Sequence, residues 1–307
     1  MRTRTGLQRT ITVMMRRLVK AWLQGIFAIA LCASVAEAFA PKSELWERWT
    51  AHSPSASATI DHSAWDAFLA KNLVSHADGV NRIAYAKVSE ADRRGLDDYL
   101  SALSAVRIGD FSRHEQRSYW INLYNALTVD VVLDHYPVDS IRDISISPGF
   151  FSVGPWGKKL IRVDGEELSL DDIEHRILRP IWKDPRIHYA VNCAALGCPK
   201  LMREAFTASN TEELLDRGAK DYINSEYGAY VDSDTRLFAS SLYDWYQQDF
   251  GGDEAGVIDH LRLYAGPELA TKLEGITDVY DFDYDWTLID AAPVQKRQKR
   301  RVGSEQR

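Results

Sequence analysis

The apolar positions of this chain change period from stretch to stretch, and each change marks an element. Ser112 and Glu115 form a capping box ahead of RSYWINLYNALTVDVVLDHYP, in which Trp120, Leu123, Leu127 and Val131 make one stripe. Ile121, Tyr124, Val129 and Val132 fill much of the remaining circumference, so the pattern predicts a central, buried helix over residues 113–135, stopped by Pro137. Shorter helices surround it. Ser63 with Asp66 caps one carrying Trp65, Phe68 and Leu69, and Ser89 with Asp92 caps another carrying Leu96, Leu100 and Leu103. Ser169 with Asp172 opens a helix bearing Leu170, Ile173, Ile177 and Leu178, expected to stop before Pro180. Asn210 caps a helix through Ile223, and SLYDWYQQDFGG reads as an aromatic helix closed by Gly251. Ahead of all these, Trp46 and Trp49 mark a short helix that gives way to a linker rich in Ser, Pro and Ala.

Elsewhere the pattern turns to strands. Lys159 to Val163 and Glu167 to Leu168 flank Asp164-Gly165, a pair that supplies the positive φ values of a tight hairpin. Tyr230 to Val231 and Arg236 to Ala239 make a second hairpin around Asp232 to Asp234. The apolar run from Ile187 to Asn192 has strand length, with His188, Ala190 and Asn192 on one face and Ile187, Tyr189, Val191 and Cys193 on the other. Near the end Tyr280, Phe282, Tyr284 and Trp286 alternate with Asp281, Asp283 and Asp285, so one face would bury four aromatics and the other show three carboxylates. The expected fold class is α+β: a single domain with its central buried helix packed on a small, mainly antiparallel sheet that includes the 187–192 strand, with several peripheral helices.

Composition changes this picture at the ends of the chain. Residues 1–20 carry six basic side chains and no acid; an apolar run follows to Val35, and Ala36-Glu37-Ala38 offers a small-x-small cleavage pattern. Residues 1–38 therefore read as a secretory signal peptide containing Cys32, and the mature protein is expected to be exported, periplasmic or extracellular, without stable membrane insertion. Residues 39–81 hold the N-terminal helices and linker, 82–290 the globular domain and 291–307 a basic tail expected to be disordered. The leader and the tail from Lys296 each contribute six positives and one negative, so the formal −7 of the whole chain leaves −17 for the region between. So acidic a body lacks the basic footprint of a nucleic-acid binder and favours neutral or cationic partners.

The candidate chemistry lies in HYAVNCAALGCPKL, residues 188–201, where the expected strand opens into a turn. Cys193 and Cys198 are open to four readings: a disulfide, a reactive thiol, a metal pair or simply buried thiols. The spacing is not that of a CxxC redox site, and His188 with the two cysteines supplies three metal ligands without a clear fourth, so neither metal nor cofactor is expected. If the strand persists to Cys193, His188 faces away from the thiol, and a catalytic Cys193 would take its base from His175, His135 or His114. Asn122 and Asn125, three apart on the buried helix, either tie down loop backbone or line a site as donors. Asp171, His175 and Arg179, spaced by four, read as a solvated ion-pair row. The aspartates at 281, 283 and 285 fail the calcium-loop template, whose sixth and twelfth positions would be Trp286 and Ala292.

Five motifs in order, YWINLYNALTVDVVLDHYP, GKKLIRVDGEELSLDDIEHRIL, HYAVNCAALGCPKL, LYDWYQQDFG and YDFDYDWTL, resemble the domain of unknown function 547 family over roughly Arg82 to Leu288. The match extends to Asn122, Tyr124, Asn125, His188, Asn192, Cys193, Cys198, Pro199, Trp245, Tyr246, Asp249 and Trp286, and departs at Ile289, where the family commonly has Asn. The resemblance implies a single exported bacterial domain and no particular reaction. Two functions are carried forward: a non-catalytic binding or scaffold domain with a Cys193–Cys198 disulfide, or a thiol-dependent hydrolase or acyltransferase with Cys193 as nucleophile, a His as base (His188 or His175) and Asn122 or Asn125 orienting the site. A His within reach of a reduced Cys193 would separate them.

Overall fold

The computed structural model of the protein describes residues 41–149 and 152–292. The expected leader, with Cys32, and all but the first two residues of the expected basic tail lie outside the described residues. The first helices are α1 (Ser63–Asn72), α2 (Glu90–Ser104) and α3 (Arg113–His135), with β1 (Leu73–Ser75) and β2 (Asn81–Ile83) paired antiparallel between α1 and α2. The Ser89–Asp92 capping box forms in full. At α3 only half a box forms: Ser112 accepts from the Glu115 N–H, but the Glu115 carboxylate turns to the Ile60 N–H. The expected Ser63 cap is not made, because Ser63 is already helical and Asp66 accepts from the distant Ala205 N–H.

α3 is the centre. Every residue from Glu115 to Val129 is buried, as its all-round apolar pattern requires. Trp49, in a 3-10 turn over Glu47–Thr50, meets Trp120 edge to face at 5.1 Å, and the Tyr119 hydroxyl donates to the Leu103 carbonyl at the end of α2. α1 adds Trp65 and Phe68, the former stacked on Tyr99 of α2.

β3 (Ile161–Val163) and β4 (Glu166–Leu168) form the expected hairpin, with Asp164 at φ 47° and Gly165 at φ 84°. The helix after it departs from expectation. It runs as a π-helix over Asp172–Leu178 and continues through Pro180 as α4 (Arg179–Trp182). In this wider winding Arg179 donates to Glu174, five residues back, so the next donor would be Pro180, which has none. The carbonyls left over at His175 and Arg176 are taken by the N–H groups of Glu44 and Trp46, at 2.9 and 3.0 Å. The N-terminal segment therefore completes this helix from outside, and Pro180 is tolerated inside it.

The 187–192 strand is not formed. Asp184 accepts from the Arg186 N–H, Pro185 takes the first helical position, and Pro185–Tyr189 winds into a 3-10 turn. Ile187, His188 and Tyr189 are all buried, which a turn packed on several sides achieves as well as a strand. α5 (Thr211–Ile223) follows, although Asn210 spends its side chain on Thr207 and Ala205 rather than as a cap. β5 (Ala229–Val231) and β6 (Leu237–Ser240) make the second hairpin, then come α6 (Ser241–Trp245), a 3-10 turn over Gln247–Phe250 closed by Gly251, α7 (Glu254–Tyr264), α8 (Pro267–Lys272) and β7 (Asp281–Asp283).

β7 joins β6 in parallel, so the largest sheet has three strands in the order β5-β6-β7, and the other strand pairs are antiparallel. This is the expected α+β single domain, with its sheets small and separate. A second apolar cluster, with Tyr189, Tyr222, Tyr243 and Phe250, lies between this sheet and α5, α7 and α8. Of the four aromatics at the C-terminal end, Tyr280 is 56% exposed, with the Arg236 guanidinium over its ring, so that stretch does not bury all four. Beyond β7 the chain threads back through the middle: Leu196 N donates to Thr287 O, Gly197 N to Asp285 O, Ile289 N to Ala194 O and Ile83 N to Ile289 O. At Gly197 a Cβ would stand 2.7 Å from the Asp285 nitrogen, so only glycine permits this approach.

Three histidines whose desolvation outweighs the carboxylates near them set an acid limit. His62, His175 and His260 are each pushed from 6.5 down to about 4, chiefly by burial. Between those values the unfolded chain binds more protons than the folded one, so stability falls as pH drops from 6.5 towards 4. Replacing His62 by Gln is expected to remove up to about 3 kcal/mol of that loss, measured as a shallower dependence of urea-unfolding free energy on pH.

Candidate functional site

α3 positions the thiol loop through Asn125. Its amide donates to the Ala190 carbonyl at 2.9 Å and accepts from the Asn192 N–H at 2.8 Å. Asn192 repeats the device inside the loop, accepting from the Ala194 N–H and donating to the Pro199 carbonyl. Ala194, fully buried at φ 59°, is held in the left-handed region by that bond. One helical turn away, Asn122 clasps Phe206 by both its N–H and its C=O. Both asparagines are thus spent on backbone and do not line a site as donors.

The two thiols come together on this loop. Cys198 is buried and Cys193 half-buried; their Sγ atoms are 2.7 Å apart, beyond the roughly 2.05 Å of a disulfide, and both cysteines are free. The expected bridge is therefore not formed in this structure. Cys198 Sγ also accepts from the Cys193 N–H, and Cys193 Sγ lies 3.0 Å from the Tyr284 hydroxyl. Burial pushes the Cys198 thiol well above its usual range, and its bond to Cys193 adds to the shift. No histidine is among the partners of Cys193. Around Tyr284 stand three half-buried tryptophans: Trp245 at 4.8 Å and Trp286 at 4.7 Å between ring centres, with Trp156 at 5.7 Å from Trp286.

The histidines belong to a neighbouring ionic cluster. His188 Nε2 meets Asp249 Oδ2 at 2.7 Å, and its Nδ1 is 3.5 Å from Glu174. Arg179 donates to the same Asp249 oxygen at 2.6 Å, to the Pro41 carbonyl and to His175 Nδ1. Tyr246 stacks on His188 at 4.4 Å and carries the Arg179 guanidinium over its ring at 4.6 Å. Burial opposes ionisation of Asp249, but the bonds from His188 and Arg179 hold it down at about 2. Glu174, also buried, is kept below the usual range by the imidazoles and Arg179. Burial, with Glu174 and Asp172 beside it, lifts Asp171 to about 7. The phenols of Tyr124 and Tyr246 are raised well above 10 by burial first and Glu174 next, with Cys193 a further contributor.

His175 and Arg179 are thus buried members of a cluster, which corrects the expected solvated row; π winding turns that face inward. His188 is oriented by carboxylates and makes no bond to Cys193. His135 bonds the Val131 carbonyl of its own helix, and His114 lies in the first turn of α3. Sequence reasoning missed Glu174 as a partner of His188, because a shared π-helical face has no signature at a period of 3.6. Tyr284 was legible only as one of four alternating aromatics. Among the described residues no group of three or more His, Cys, Asp or Glu is placed to hold a metal ion.

Replacing Asn125 by Ala strands the Asn192 N–H and Ala190 C=O in the interior and is expected to cost about 2–4 kcal/mol. Chemical denaturation measures the cost, and loss of the native Sγ–Sγ approach would show as a slower rate of induced Cys193–Cys198 bridging. No curated protein and no solved structure matches the chain. Residues 108–223 do match a family model; they hold α3 with both asparagines, Glu174, His175, His188 and the two cysteines, while Asp249, Tyr284 and Trp286 come from beyond them. That family is the one described as Protein of unknown function, DUF547, in agreement with the resemblance drawn from the motifs.

Proposed function

We propose that the protein is a non-catalytic, exported binding domain whose Cys193 and Cys198 close into a disulfide in an oxidising compartment. The observation that carries this reading is the environment of the Cys193 thiol. Its partners are Cys198 and Tyr284, while His188 and His175 are bound into the Glu174–Arg179–Asp249 cluster. A thiol nucleophile needs a base to take its proton; His188 and His175 bond within the ionic cluster and His135 bonds the Val131 carbonyl. The adjacent Sγ atoms close by less than an ångström to bridge, their two electrons and two protons passing to a disulfide oxidant of that compartment, which is itself reduced to two thiols.

The binding face of this reading is the half-buried aromatic surface beside the thiols, formed by Trp156, Trp245, Tyr284 and Trp286. Half-exposed tryptophans offer large contact area at small entropic cost, and the acidic body directs the surface to neutral or cationic partners.

Peptide mapping by mass spectrometry of protein isolated from the exported fraction, alkylated before lysis, tests the proposal. The expected result is a Cys193–Cys198 linked peptide two hydrogens lighter than its reduced form, without alkylation at either position. A free Cys193 that alkylates quickly, with an apparent pKa well below about 8.5, would overturn it and establish an activated nucleophile.

A further inference from the structure

A cavity of about 450 Å³ opens where α4, the first described residues and the 3-10 turn over Gln247–Phe250 meet. Its size falls in the range of roughly 300–1,000 Å³ that small-molecule sites occupy. Arg179 and Asp249 of the ionic cluster both line it. Arg179 is only 7% exposed, so its guanidinium is built into the wall and is not a loose surface charge. Its Nε donates to Asp249 Oδ2 at 2.6 Å and its Nη1 to the Pro41 carbonyl and His175 Nδ1; none of these bonds uses Nη2. The bonds that Asp249 accepts from Arg179 and His188 both fall on Oδ2, and its side chain is 23% exposed. The wall therefore presents a positive and a negative group side by side, held in place by the cluster.

Two more charges line the cavity, and they differ in their partners. Asp184 is taken by Arg117 and Arg186. Lys183, in the left-handed region at φ 51° just past α4, forms no ion pair among the described residues. An anion entering here would meet Arg179 and Lys183 but also the Asp249 carboxylate, and a cation would meet Asp249 but also two positive groups. A ligand that carries both charges a few bonds apart, with none overall, satisfies all three. Such a ligand is also not repelled by the net negative body.

We infer that this cavity binds a free α-amino acid with an apolar side chain, as its zwitterion. The α-carboxylate accepts from Arg179 Nη2 and Lys183 Nζ, and the α-ammonium group donates to Asp249 Oδ1. The two head groups share one carbon, which matches a guanidinium and a carboxylate in direct contact on the wall. The ligand's side chain lies along Leu45 and Pro180, the apolar residues of the lining; Leu45 is 43% exposed and has apolar surface to cover. This site shares no residue with the aromatic surface or the thiols, so it stands apart from the reading of those.

Isothermal titration of the full chain with leucine, methionine and phenylalanine, and with the blocked analogues N-acetyl-leucine and leucinamide, tests the inference. At least one of the free amino acids is expected to bind saturably, and both blocked analogues to bind about tenfold or more weakly than leucine, since each lacks one charge-assisted contact. Lys183→Met is expected to weaken binding of the free amino acid by a similar factor, and Asp249→Asn to abolish the preference for leucine over N-acetyl-leucine. Lys183 is exposed and outside the ionic cluster, so its variant keeps the test open if Asp249→Asn does not fold. Absence of saturable binding by all three amino acids, or unchanged binding in Lys183→Met, would overturn the inference. So would N-acetyl-leucine binding as well as leucine, which reduces the cavity to a carboxylate site, or leucinamide doing so, which reduces it to a cation site.

Discussion

A helix buried on every side gives its polar side chains no water to fall back on, and α3 carries two asparagine carboxamides into the interior. Each finds both a donor and an acceptor on a single stretch of loop, because an amide presents the same pair of groups as a strand edge. Asn122 thereby fixes the backbone at Phe206, and Asn125 fixes Ala190 to Asn192. The thiols inherit their positions from the second of these clasps. Asn192, set by Asn125, sets Ala194 and Pro199 in turn, and the loop between them brings Cys193 against Cys198. The chemistry of the loop thus rests on side chains that have no chemical role of their own.

The ionic cluster obeys the same constraint with charges in place of amides. Asp249 is shared by His188 and Arg179, and Arg179 reaches on to the Pro41 carbonyl, so the segment at the N-terminal edge of the described chain is bonded into the cluster. Glu44 and Trp46 then occupy the carbonyls that Pro180 leaves free. A residue with no N–H and a segment with N–H groups to offer are complementary, and the π winding between them turns Glu174 and His175 inward.

Where a local signal was strong, the sequence was readable. The all-round apolar run of α3, the Ser89 box and the Asp-Gly hairpin depend on neighbours within a few residues, and all three are present. The 187–192 run misled because buried apolar residues of that length suit a strand or a packed turn equally, and Asp184-Pro185 decided for the turn. Pro180 misled because its missing donor is compensated by residues more than a hundred positions earlier. At the site, the tie-down role of the asparagines was one of two readings open from the sequence, whereas the partners of His188 and Cys193 arrive from Glu174, Asp249 and Tyr284, brought together only by tertiary packing.

The return of the last segment through the middle of the molecule bears on the order in which the molecule can be made. Residues 285–291 bond to β2 and to residues 194–197, and no earlier part of the chain supplies those partners. The tie between Ile83 and Ile289 closes almost the whole domain into one loop, an arrangement that delays folding until the far end has emerged. A nascent chain therefore has no finished centre while it is still being synthesised. The thiol loop, whose residues 194–197 bond to residues 285–289, is therefore among the last parts of the molecule to reach its final shape.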